Sequence, residues 1–210
     1  MFQWIVLEEV AGKVTVAPFV QLIKLLEVTL TWILRLGRTI GCVAIGLMVM
    51  VILVQVFFRY VLNNALPWPD EAARFLMLWM TALIAPSAYR WGGFVAIATV
   101  PELLGRRAGL ILNLILLSIA LAVLVVAVQL GQKHVASGWL FNSSTLKLPL
   151  STFGGISVPI KLAWMYMSLP IGFALMCAVN VELILKSLHM LFDPNADYTV
   201  APDQISMSAE

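Results

Sequence analysis

Three stretches of this chain, Thr39 to Phe58, Ala108 to Gln132 and Leu162 to Val181, contain no Lys, Arg, Asp or Glu. At about 1.5 Å of rise per residue, a helix of about 20 residues crosses the roughly 30 Å hydrocarbon core of a bilayer, and each stretch is at least 20 residues long. Hydrocarbon offers no partner to backbone N–H and C=O groups, so a lipid-facing segment must pair them within itself, as a helix does. Composition points the same way, with 61% hydrophobic and only 11% charged residues, against about 25% charged in a typical soluble domain.

A fourth run, Phe75 to Tyr89, is free of charge for only 15 residues, which gives about 22 Å and falls short. Extended back to Pro69 it reaches about 31 Å and puts Asp70, Glu71 and Arg74 in the first turns. Proline suits the first turn of a helix and acids suit its positive dipole end, while Gly92 and Gly93 form a stop. The fold expected is therefore an all-α membrane protein of four transmembrane helices, at about 39–58, 69–90, 108–132 and 162–183.

Ahead of the first span, Gln21, Lys24, Thr31, Arg35 and Arg38 recur at helical steps among Ile23, Leu26, Leu30, Ile33 and Leu34. This amphipathic pattern predicts a helix along the cytoplasmic interface, with packing on a partner helix as the other reading. The organisation expected is an interfacial segment over 1–38, a membrane domain over 39–190 and a flexible acidic tail over 191–210. With the N-terminus inside, Lys13, Lys24, Arg35, Arg38, Arg90, Arg106, Arg107 and Lys186 lie on one side, and Arg59, Arg74, Lys133, Lys147 and Lys161 on the other. That excess favours both termini in the cytoplasm.

The chemistry-bearing residues are sparse. Cys42 and Cys177 fall within spans, outside any C-x-x-C pair, and read as buried apolar groups. His134 and His189 lie outside the spans, which argues against a membrane haem with facing axial histidines. No phosphate loop, nucleophile elbow or metal-ligand spacing stands out, so neither an enzyme nor a cofactor is expected, and the basic residues flank spans rather than form a nucleic-acid patch. A transporter acting alone calls for ionisable groups near mid-membrane or broken helices. Asn113, Gln129, Gln55, Pro86 and Pro170 read more simply as packing features, and Glu182 is the one acid near a span, at its end.

The stretch RYVLNNALPWPDEAARFLMLWM, residues 59 to 80, is the most specific. Arg59-Tyr60 closes a span, Trp68, Glu71 and Arg74 follow in a W-x-x-E-x-x-R spacing, and Trp79 lies in the next span. Glu71 and Arg74 are three apart and Asp70 and Arg74 four apart, so one arginine can meet either acid on the same helix face. With Pro170-Ile171-Gly172-Phe173 in the last span, the pattern resembles the small membrane subunit of tripartite ATP-independent periplasmic (TRAP) transporters. The chain departs from that family after the glycine pair. Phe94-Val95-Ala96-Ile97-Ala98 stands where the family often shows His-Ile-x-Val-Asp.

The resemblance implies a bacterial or archaeal inner-membrane complex. A periplasmic solute-binding protein captures a carboxylate, a large membrane subunit moves it with sodium bound in that subunit, and the small subunit, surrounded by membrane lipid, scaffolds the large one. In that setting Arg59, Trp68, Asp70, Glu71, Arg74 and Trp79 are expected to form a structural or subunit-interface cluster, with Arg59, Glu71 and Arg74 as its ionic part. The connection from Lys133 to Pro159 is a candidate docking surface. A self-sufficient small transporter, or an assembly factor unrelated to transport, remain the other function classes.

Overall fold

The computed structural model describes residues 2–92, 106–148 and 158–192. The tail beyond Phe192, the Phe94–Ala98 departure and the glycine pair at 154–155 lie outside the described residues. Among those described, four helices are long and apolar enough to cross a membrane. Helix α1 is Phe2–Tyr60, α2 is Pro69–Arg90 and α3 is Arg106–Gly138. A short turn of helix, α4 (Ala163–Tyr166), leads into α5 (Ser168–Phe192).

The stretch expected to lie along the interface is helical and runs into the first span as one uninterrupted helix, so a separate interfacial helix is not seen. At about 1.5 Å per residue, the 59 residues of α1 extend about 88 Å, far more than the bilayer core. From Val20 onward its inner side is set by Ile23, Leu30, Leu34 and Ala44, all buried, while Leu22, Leu25, Trp32 and Leu36 face outward. The stripe over Pro18–Arg38 thus uses its inward side for partner helices within the chain, the second of the two readings that its pattern allowed.

Helix α2 begins as its sequence directs. Trp68 is the N-cap, Pro69 occupies the first turn, and Asp70 and Glu71 meet the dipole end. At its other end Gly92 adopts φ 74°, a left-handed conformation that glycine takes at little cost. Between α1 and α2, Asn63 takes φ 48°, which asparagine tolerates better than most residues.

The helices stand roughly in a row. Helix α2 packs between α1 and α5, and α5 packs between α2 and α3, which leaves α1 and α3 towards the two ends, with α1 also touching α5. Close approach depends on small residues, as it does where lipid leaves little hydrophobic drive for helices to associate. Gly37 and Gly41, spaced G-x-x-x-G, lie against Leu83 and Ile84 of α2. A Cβ built on Gly172 of α5 would stand 3.0 Å from the Cα of Ala82 in α2.

The all-α expectation needs one addition. Between α3 and α4, strand β1 (Asn142–Leu148) pairs antiparallel with β2 (Val158–Lys161), with Asn142 opposite Lys161, Leu148 opposite Val158 and an irregularity between Asn142 and Lys147. The connection given as a candidate docking surface therefore carries a two-stranded antiparallel pair.

Because the Ala82 backbone cannot yield to a side chain, Gly172→Leu should cost about 1–3 kcal/mol of stability. Gly46 has nothing within 4 Å of a built Cβ, so Gly46→Leu should be neutral or slightly stabilising. Thermal unfolding in detergent compares the two directly.

Candidate functional site: two polar ends of the bundle

Polar side chains gather at the two ends of α2. Glu71 and Arg90 are 19 residues apart along it, about 28 Å at helical rise, close to the thickness of the hydrocarbon layer. One end holds the residues that the sequence singled out, and the other holds a set it did not assemble.

At the first end, Asp70 Oδ1 accepts a hydrogen bond from Gln55 Nε2 of α1 at 2.8 Å. Glu71 turns toward the hairpin, where its Oε2 accepts from the Thr145 backbone N–H at 3.0 Å, from the Leu146 N–H at 3.3 Å and from the Thr145 hydroxyl. Trp79 Nε1 donates to the Trp164 carbonyl at 3.2 Å, which ties α2 to α4. Trp164 meets Trp139 edge-on with centroids 6.4 Å apart, and Lys161 Nζ lies 5.9 Å from the Trp139 ring centroid. Trp68 caps the helix and is partly exposed.

The ionic part of the expected cluster is not assembled. Arg59 lies over the ring of its neighbour Tyr60 at 5.8 Å, Arg74 is exposed, and no ion pair among the described residues joins either to Glu71. The physical reason is that β1 offers Glu71 two backbone N–H groups and a hydroxyl at fixed positions. A carboxylate gains more from such donors than from a solvated arginine three residues along a helix, a pair worth only about 0.2–0.5 kcal/mol.

The opposite end carries the structure's buried charge. Glu182 Oε1 lies 2.8 Å from Arg90 Nη2 and 2.7 Å from Lys186 Nζ. Lys186 Nζ also reaches Glu27 Oε1 at 3.0 Å, and Arg90 Nη1 donates to the Thr31 hydroxyl at 2.6 Å. Side-chain exposures of 0% for Glu182, 7% for Arg90, 15% for Lys186 and 28% for Glu27 place the group between helices rather than on the surface. Two acids and two bases cancel, so α1, α2 and α5 are joined by a neutral quartet. Beside it, Asn180 Nδ2 donates to the Tyr89 hydroxyl, Asn113 Nδ2 to the Ser187 hydroxyl at 3.2 Å, and Arg38 stacks on Trp91 at 4.3 Å.

Sequence reasoning met these residues one at a time. Arg90 and Lys186 entered only as charges that orient the chain, Glu182 as an acid at a span end, and Glu27 not at all. The local signal that was there is the Glu182 and Lys186 pair four apart on one helix face.

This four-span architecture can be set beside known proteins. The family model for tripartite ATP-independent periplasmic transporters, DctQ component, matches residues 48–189. The chain belongs to this family. The match takes in the whole Arg59–Trp79 stretch together with Arg90, Glu182 and Lys186, and leaves Glu27 outside. Among curated proteins, the chain is 28% identical over 155 residues to the sialic acid TRAP transporter small permease protein SiaQ of Vibrio cholerae, covering 72% of this chain and 81% of that protein. The resemblance drawn from Trp68, Glu71 and Arg74 is thus borne out, and the chain is a TRAP transporter small permease subunit with four membrane-spanning helices. Asp70, Glu71 and Arg90 lie in the terminal turns of α2, whereas Glu27 and Glu182 lie within α1 and α5.

Removing one partner of a buried ion pair leaves the others uncompensated. Glu182→Gln should therefore destabilise the protein by about 3–5 kcal/mol, and Glu27→Gln, at a more exposed position, by clearly less. Denaturant unfolding in micelles measures the difference. At the other end, Glu71→Ala should speed amide exchange over residues 142–146 while Arg74→Ala leaves it unchanged; equal loosening by both would restore the arginine to the cluster.

Proposed function

We propose that this small permease subunit is the fixed partner of a large polytopic subunit that carries out sodium-coupled uptake. The solute is a carboxylate, such as the sialic acid named for the Vibrio cholerae relative, delivered by a periplasmic binding protein. The complex sits in a bacterial inner membrane with both termini of this chain in the cytoplasm. Sodium is bound by the large subunit and not by this one.

The observation that carries this reading is the disposition of charge. Among the described residues, ionisable side chains stand at the ends of the spans, and the best-buried of them, Glu182, is bound to Arg90 and Lys186. A chain that moves an ion and an organic acid by itself needs ionisable or unwound sites near mid-membrane. A carboxylate already tied to two cations is poorly placed to trade protons or sodium. A supporting role agrees with a row of helices fastened to one another at both ends.

The cluster of Arg59, Trp68, Asp70, Glu71, Arg74 and Trp79 retains a place in this proposal in altered form. Asp70, Glu71 and Trp79 fix α1, the hairpin and α4 to α2, and Arg59 and Arg74, on the outside, are available to the large subunit. The hairpin end then faces the periplasm, where the binding protein arrives.

Affinity purification of the tagged chain from native membranes should recover a much larger polytopic protein. Liposomes holding both subunits should take up solute only with a sodium gradient and added binding protein. Uptake by this chain alone would overturn the proposal in favour of a self-sufficient small transporter, and recovery without any transport subunit would favour an assembly factor.

A further inference from the structure

The buried quartet is neutral in sum but not in its arrangement. A groove of about 240 Å³ opens between the end of α2, the first turns of α3 and the last turns of α5. Arg90 and Lys186 line it, as do Asn113, Ser187 and Tyr89. Neither Glu27 nor Glu182 lines it, because Glu182 is fully buried between helices and Glu27 belongs to α1, at the far end of the row from α3. The groove therefore meets the cationic side of the quartet with its carboxylates behind. Arg107, exposed in the first turn of α3, adds positive charge at the same end.

The walls are graded along the membrane normal. Asn113 and Ser187, joined by a 3.2 Å hydrogen bond, supply amide and hydroxyl groups at one level. One helical turn further toward mid-membrane stand Leu117 on α3 and Leu183 on α5, both apolar. A ligand that fits must be anionic where it meets Arg90, Lys186 and the neutral donors, and apolar one turn deeper. A cation finds no carboxylate in the walls, and a small soluble anion leaves the leucine part of the groove unused.

We infer that this groove is a binding site for the phosphate headgroup of an anionic phospholipid, with the phosphate between Arg90, Lys186 and Ser187 and the start of an acyl chain along Leu117 and Leu183. Basic pockets between spanning helices at a membrane edge are suited to such headgroups. The site belongs to the small subunit itself and does not require the large one. It would add to the hold of α3 on α2, which α5 and the short helix α4 both bridge.

The test uses the purified full-length chain and native mass spectrometry with phosphatidylglycerol, phosphatidylcholine and inorganic phosphate as probes. Retention of phosphatidylglycerol should exceed that of phosphatidylcholine by about thirtyfold, given two basic residues at the site. Leu117→Trp, which fills the apolar part of the groove, should abolish that preference while circular dichroism stays unchanged, and Asn113→Leu should weaken it independently of the quartet. Equal retention of the two lipids, or an undiminished preference in both variants, overturns the inference. Thermal stabilisation by inorganic phosphate that equals stabilisation by phosphatidylglycerol overturns the lipid assignment and makes the groove a free-phosphate site.

Discussion

A single carboxylate, that of Glu182, holds three helices together at one level. One of its oxygens takes both Arg90 from α2 and Lys186 from its own helix, and Lys186 in turn holds Glu27 of α1. Removed from water, each of these charges would be costly, and together they are stable because every one lies beside an opposite charge. Geometry follows from that requirement. The four groups must converge, so the C-terminal ends of α2 and α5 and the N-terminal half of α1 come to one level, and the up-and-down order of the chain is fixed with them.

The other end is fastened by different means. There the carboxylates of Asp70 and Glu71 find neutral donors, the Gln55 amide and the backbone of β1. Neutral donors are adequate because the site is less buried and because backbone N–H groups of a strand are already fixed in direction. Charge pairs charge in the buried place and meets dipoles in the open one. The span between them, about 28 Å from Glu71 to Arg90, makes α2 the element whose length sets the other three.

Much of this was legible in the sequence, for a physical reason. Hydrocarbon excludes charge, so charge-free runs announce spans, and Pro69 with Asp70 and Glu71 announces where the short one begins. The pairing of those acids was not legible, because the competing donors come from Thr145 and Leu146, some 75 positions away in the chain. The quartet was hidden for the same reason: only Glu182 and Lys186 are neighbours on one helix, and Glu27 and Arg90 arrive from two others. The G-x-x-x-G of Gly37 and Gly41 was present in plain view as a packing signal. The amphipathic stripe before the first span was legible as a pattern but not as a place, since a helix with Ile23 and Leu30 inward and Leu25 and Trp32 outward serves packing as readily as a membrane surface.

The order α1, α2, α5, α3 has a consequence for the surface. The helices stand largely side by side, with α1 also meeting α5 at the quartet, and few apolar residues among those described are fully enclosed. Among the described residues such an arrangement has broad faces and little interior. What it offers is breadth: long exposed apolar faces on α1 and α3, where Leu25, Leu36, Leu53, Ile115 and Val123 are turned outward.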